Sequence, residues 1–191
     1  GLGVTASHEA VPLLASVQPA SGCNDDAMAV LDPLRSILPG LGFQGDVFDD
    51  PATRVVYGTD NSIYQLRPQG VVVPSSEADL TATLVANHRL GQPFEVVARG
   101  GGTGTNGQSL TNGLVVDTRR RMNQILSIDP ERLEAVVQPG VVLEELNAHL
   151  SPHGLFFAPH VSTGTRATVG GMASTDAAGK GSLVYGRAND H

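Results

Sequence analysis

At 191 residues the chain is long enough for one large domain or two small ones, and roughly 70 % of its unfolded surface can be buried on folding. A hydrophobic share of 40 % beside 16 % charged residues excludes a disordered chain, and a net charge of −7 argues against nucleic acid as a general partner while leaving room for one phosphorylated ligand held by backbone amides. The lone cysteine, Cys23, excludes an internal disulfide and a cysteine-based metal site, and no apolar run reaches the length of a membrane span.

Taken in chain order, residues 1–24 are small, polar and unpatterned and read as a loose arm. The opening residues have no Met and no basic leader, so no signal peptide is expected, and a start at Gly reads as a processed or engineered end. Asp25 and Asp26 precede AMAVLDPLRSIL, a predicted acid-capped helix in which Pro33 marks a kink or a second start. GFQGDVFDDPATRVVYGTDNSIYQLRPQG reads as irregular, with short β-like pieces and no clear helix. From Val71 the pattern sharpens. VVVP is a short buried strand, Ser76 with Asp79 opens a helix through SEADLTATLVANHRLG that stops at Gly91, and FEVVA (94–98) is a second strand. That order predicts a βαβ unit with parallel pairing. GLVVD, ending at Asp117, is a third strand. QILSID and LEAVVQPG flank the turn DPER as a β-hairpin, with Leu133, Ala135 and Val137 alternating. VVLEELNAHLSPHG is an amphipathic helix ended by Pro152 and Gly154, and the glycine-rich remainder carries no periodic signal.

Five glycines fall between Gly100 and Gly107, in ARGGGTGTNGQS. Ordered glycine is entropically costly, so something there needs bare backbone. Gly102, Gly104 and Gly107 match G-x-G-x-x-G, but that fingerprint must open a helix, and only five residues separate Gly107 from the strand at Gly113. The dinucleotide-fold reading is therefore rejected. Gly179-Lys180-Gly181-Ser182 fails as a phosphate loop, because Ser or Thr must follow the Lys and position 174 is Ser. Two readings remain. The loop is either an anion nest at the end of a parallel strand, with Thr103, Thr105, Asn106 and Gln108 as added donors, or a tight structural turn.

Other residues are read as structural. His149 and His153 are four apart, but Pro152 disrupts their face and no third ligand is near, so a surface or capping role is favoured over metal binding. His160 is expected to pack on Phe156 or Phe157, Arg119 to Arg121 to form a solvated face, and Asp25-Asp26 and Asp49-Asp50 to do no acid/base work. Arg166 is a lesser candidate for a phosphate or a substrate carboxylate.

RPQGVVVP, SSEADLTATL, ARGGGTGTNGQ, GLVVD and ATVGGMASTDAAGKGSLVYGRANDH occur in that order. Together they resemble the FAD-binding domain of the vanillyl-alcohol oxidase and para-cresol methylhydroxylase (PCMH) flavoproteins, closest to the FAD-linked D-2-hydroxy-acid dehydrogenases of D-lactate and D-2-hydroxyglutarate type. TDNSIYQ strengthens that subgroup, and the likeness runs from Asp46 to His191. The resemblance implies an α+β, PCMH-type fold. An arm and helix (1–45) would precede a first βαβ FAD subdomain (46–118) and the start of a second, antiparallel α/β subdomain (119–191). It implies that Gly100, Gly101, Gly102, Thr103, Gly104, Thr105, Asn106, Gly107 and Gln108 wrap the FAD diphosphate. Pro159 and Ser162 would approach the flavin, and Thr168, Val169, Gly170 and Gly171 would hold diphosphate and ribose. Ala173, Ser174, Asp176, Ala178 and Gly179 would line the rest of the channel, with Tyr185 near the flavin.

Family members continue well past this chain, and their catalytic and metal-binding histidines lie there. No catalytic or metal residue is therefore expected here. The implied activity is oxidation of a 2-hydroxy acid by hydride transfer to FAD, with the substrate held by a missing C-terminal domain and an unidentified electron acceptor. The alternatives are an oxygen-using oxidase and a non-catalytic domain that has lost FAD. Covalent flavin links in the family use His, Cys or Tyr, and none lies between Arg99 and Gly113, so FAD is expected to be non-covalent. The 191 residues alone are expected to bind FAD weakly or not at all, to turn over nothing, and to leave the tail after Ala158 loose or packed in a non-native way. The expected location is cytoplasmic, with the inner-membrane surface as an alternative.

Overall fold

The computed structural model describes residues 30–191, so Asp25, Asp26 and Cys23 lie outside the described residues. Helix α1 (Asp32–Ile37) has Pro33 in its first turn, where a fixed φ suits a helix start, so the proline marks the beginning rather than a kink. Strand β1 (Asp46–Phe48) follows, then a helix that the sequence did not announce, α2 (Pro51–Tyr57). Asp50 caps α2 by accepting from the Thr53 N–H at 2.9 Å, and Pro51 occupies the first turn. An Asp-Pro start was present in the irregular stretch, but α2 buries no residue fully and shows no apolar stripe.

Strands β2 (Gly70–Val73), β3 (Val96–Arg99) and β4 (Leu114–Asp117) are parallel, and α3 (Glu77–His88) connects the first two. Ser76 caps α3 by accepting from the Asp79 N–H, as its sequence predicts. The sheet order is β1-β2-β4-β3. Two features were not anticipated: β1 adds an antiparallel edge, and β4 sits between the two strands of the βαβ unit. β2 and β4 are buried along their whole lengths because both faces are covered. Leu31, Leu34 and Leu38 join Val72, Ala82, Ala86 and Leu114 in one core cluster. Val71, Val73 and Val115 form another with Phe48 and Tyr57.

The chain then forms the hairpin β5 (Ile125–Asp129) and β6 (Glu134–Val137). Leu133 departs from the expected alternation: it lies in the turn at φ 57° and is exposed. Helix α4 (Leu143–Leu150) buries Leu143, Leu146 and Leu150, then tightens into a 3-10 turn closed by Gly154 at φ 71°. The glycine-rich remainder, which carries no periodic signal, forms two short helices, α5 (Val169–Ser174) and α6 (Ser182–Tyr185). Met172 and Ala167 pack with Leu143 and Ala188, a core too small to announce itself by periodicity.

Candidate functional site

The glycine loop, residues 100–113, joins the adjacent parallel strands β3 and β4 with no helix between them. It faces the start of α5 across a cleft of about 790 Å³, within the roughly 300–1,000 Å³ usual for small-molecule sites. Gly100, Gly101, Gly102, Thr103, Gly104, Thr105 and Gln108 form one wall, and Thr168, Gly170, Gly171, Ser174 and Ala178 form the other. The remaining candidates fall outside this lining. Asn106 is exposed, Gly107 rests against the Tyr64 ring, Pro159 is buried, and Val169 is half-buried. Ser162 and Ala173 are exposed, and Tyr185 meets Phe156 edge to face at 6.0 Å. Asp176 accepts from Arg187 at 3.0 Å and from the Asn189 N–H at 3.2 Å, tying the end of α5 to the chain's last turn. Gly179 lies against the His160 carbonyl. The sequence reading missed Val97, Ala98, Ser109, Thr118, Pro139, Val161, Thr163, Ala167, Met172 and Thr175. The strand ends at Ala98 and Thr118 flank readable signals, but Pro139 and Val161 come from turns with none.

The glycines of the loop divide by what surrounds them. A Cβ on Gly100 would overlap the Thr168 hydroxyl, and one on Gly101 the Arg166 carbonyl. These two glycines permit a chain crossing. Gly102 adopts φ 63° and Gly107 φ 72°, the left-handed region that glycine enters without penalty. A Cβ on Gly104 would meet only the Gln108 side chain. Beyond the crossing, among the described residues, the N–H groups of Gly101, Gly102, Thr103, Gly104 and Thr105 donate to no protein acceptor. Five unengaged donors in succession lie on half-buried or exposed residues beside a cleft lined by no charged side chain, which is the donor pattern an anion nest requires.

The opposite wall differs. There Gly170 donates to the Pro139 carbonyl at 2.9 Å and Gly171 to the Thr168 hydroxyl at 3.3 Å, and the neighbouring Val169 N–H donates to the Val141 carbonyl at 2.8 Å. At Gly170 and Gly171 the N–H groups are spent within the protein, and these residues shape the cleft.

A clasp supports the loop from behind. The Asn61 N–H donates to the Gly102 carbonyl at 3.1 Å, and the Ser109 hydroxyl donates to Asp60 at 2.9 Å. Arg99 donates to the carbonyls of Thr59 at 2.7 Å and Tyr57 at 3.4 Å and stacks on the Tyr57 ring. The Tyr57 hydroxyl in turn donates to buried Asp117. Burial works to raise the Asp60 carboxyl, but hydrogen bonds from Ser62 and Ser109 and the Arg99 charge outweigh it and hold it below its ordinary value. This clasp accounts for part of the TDNSIYQ segment.

The residues set aside on sequence fall as follows. His149 meets the Glu145 carbonyl at 2.8 Å along its own helix. The His191 ring meets Phe157 edge to face at 5.7 Å. Asp49 pairs with Arg35 at 2.6 Å. The arginine run is more than a solvated face, since Arg120 lies over the Phe48 ring and Arg121 pairs with Asp46 at 2.8 Å.

A family model described as "FAD binding domain" matches residues 68–191. The chain is 55 % identical over 156 residues to a D-2-hydroxyglutarate dehydrogenase of Pseudomonas putida, covering 81 % of this chain and 15 % of that protein. It is 52 % identical over 152 residues to the Escherichia coli (strain K12) protein of the same name, covering 78 % and 15 %. It therefore spans about 15 % of the length of these relatives. Among solved structures, a 6-hydroxy-D-nicotine oxidase from Arthrobacter nicotinovorans is similar, with a TM-score of 0.67 at 25 % identity, covering 78 % of this chain and 32 % of the other.

Proposed function

The chain belongs to the FAD binding domain family, and from that membership we propose that it supplies the diphosphate-holding part of the cofactor site of an FAD-dependent dehydrogenase acting on a 2-hydroxy acid, 2-hydroxyglutarate first among them. The observation that carries this is the run of free N–H donors from Gly101 to Thr105 over an uncharged cleft. Each neutral hydrogen bond contributes about 1 kcal/mol, so several in series suit a diphosphate that need not be gripped by Lys or Arg. FAD fits this wall because bare Cα positions leave its donors accessible. When bound, FAD would accept hydride from the carbon bearing the hydroxyl. This chain's residues would bind and orient it: the loop at the diphosphate, and Thr168, Gly170, Gly171, Ser174 and Ala178 as the shaped facing wall. Residues 46–118 form the first FAD subdomain in this reading, with α1 packed against it, and residues 119–191 begin the second. The name shared by relatives at 52–55 % identity favours a dehydrogenase over an oxidase.

The cleft lining includes no His, Cys or Tyr, which supports non-covalent binding. The polypeptide that carries this chain is expected to purify yellow, to reduce its flavin on addition of D-2-hydroxyglutarate, and to release all its colour on acid precipitation. A colourless product that takes up no FAD overturns the reading, and a yellow acid pellet overturns its non-covalent part.

A further inference from the structure

A second cavity of about 270 Å³ lies behind the glycine loop, and Gly102, Thr103 and Thr163 form the wall it shares with the cleft. Arg99 and Arg166 both line it, beside Thr59, Asp60 and Asn61. We propose that this cavity binds one small oxyanion, of the carboxylate or phosphate class, between the guanidinium groups of Arg99 and Arg166.

Four observations carry the assignment. Arg99 is fixed in place by the Thr59 and Tyr57 carbonyls and by the Tyr57 ring, so its planar fork is pre-organised. Arg166 lines the same cavity, its charge lies near enough to act on Arg99, and neither arginine forms an ion pair among the described residues. Two like charges converging on one small space repel until an anion lies between them. Asp60 is the one carboxylate in the lining, and its oxygens already accept from the Ser62 N–H at 2.8 Å and the Ser109 hydroxyl at 2.9 Å. The lining therefore keeps a net charge of +1. Finally, the hydroxyls of Thr103 and Thr163 make no hydrogen bond to protein among the described residues, leaving donors beside the two forks. Burial also pushes the Arg99 guanidinium down from its ordinary value and the Arg166 charge adds to this, with Asp60, Tyr57 and Asp117 opposing. The volume falls below the roughly 300 Å³ floor of drug-sized sites, so it suits a phosphate or carboxylate rather than a dinucleotide. The assignment does not depend on the cofactor reading.

The test is calorimetric titration of the chain with inorganic phosphate, and in parallel with glutarate, at ionic strength fixed by chloride. One oxyanion per chain is expected. Arg166→Gln weakens it roughly tenfold or more, the loss expected for a charge-assisted hydrogen bond, and Arg166→Lys restores part of it. Arg166 is exposed, so these variants keep the fold, checked by circular dichroism. The competing site for phosphate is the glycine loop in the main cleft. Ser174→Trp fills that cleft without lining the cavity, and is expected to leave phosphate binding in place. Absence of binding, binding that Arg166→Gln does not change, or binding lost in Ser174→Trp each overturns the proposal.

Discussion

The two walls of the cleft are both rich in glycine and use it in opposite ways. In the loop after β3, Gly101, Gly102 and Gly104 line the cleft with N–H groups that donate to no protein acceptor among the described residues, and the clasp from Tyr57 to Asn61 holds the loop. At the start of α5, Gly170 and Gly171 have their N–H groups engaged within the protein, and the absence of a side chain at Gly170 lets the helix lie on Pro139. A glycine count therefore says nothing about ligand binding. What distinguishes the walls is where each N–H goes, because a donor already satisfied by a carbonyl gains nothing from a phosphate.

The sharpest way to break this comparison lies within the loop itself. A Cβ at Gly101 meets the backbone carbonyl of Arg166, which cannot swing aside, whereas a Cβ at Gly104 meets the mobile end of Gln108. Gly101→Ala is expected to destabilise the protein by about 3 kcal/mol through overpacking. Gly104→Ala should change stability by less than about 1 kcal/mol, since an exposed side chain can repack at little cost. Urea unfolding of the pair measures the difference, and equal losses would mean that the crossing at Arg166 is not rigid.

The next effect sits under the loop. Tyr57 donates to the buried Asp117 carboxylate, and both burial and that carboxylate push its phenol up from 10.0 to about 12. A folded-state value above the unfolded one means that the contribution is complete below pH 10 and is lost as pH rises toward 12. Tyr57→Phe is expected to cost about 1–2 kcal/mol at neutral pH. The variant should also lack the parent's alkaline loss of stability, so the two unfolding midpoints converge at high pH. Parallel curves through that range would remove Asp117 as the partner of this hydroxyl.

The sheet was legible where one signal dominated. VVV and LVVD read as buried strands because both faces are covered, and Ser76 with Asp79 announced α3. Helix α2 was missed although Asp50-Pro51 is a sound start, because a helix lying on the surface has no apolar period to read. The placement of β4 between β2 and β3 was not legible, since pairing across 14 or more residues is decided by tertiary packing. At the site, the loop residues were readable from their glycines and the facing wall from resemblance alone. The engagement of that wall's N–H groups depends on Pro139 and Val141, which carry no local mark.

The smallest expected effect lies at the far end of the second wall. Asp176 adopts φ 46°, a region unfavourable for most side chains but tolerated by Asp and Asn. Its carboxylate pairs with Arg187 and accepts from the Asn189 N–H, and these contacts hold it below its ordinary value of 3.8. Asp176→Asn keeps the backbone preference and an accepting oxygen but removes the charge. Because the pair is exposed, the unfolding midpoint at neutral pH should hardly move. Asp176→Ala removes both the acceptor and the tolerance for positive φ, and should fall clearly below the Asn variant. The sign of the pH dependence is fixed by the lowered carboxyl: its contribution is present above 3.8 and fades as pH falls through the folded value, so parent and Asn variant converge in acid. If Ala and Asn behave alike at neutral pH, neither the left-handed backbone nor the Asn189 contact holds the end of α5, and the second wall owes its shape to the Met172 cluster alone.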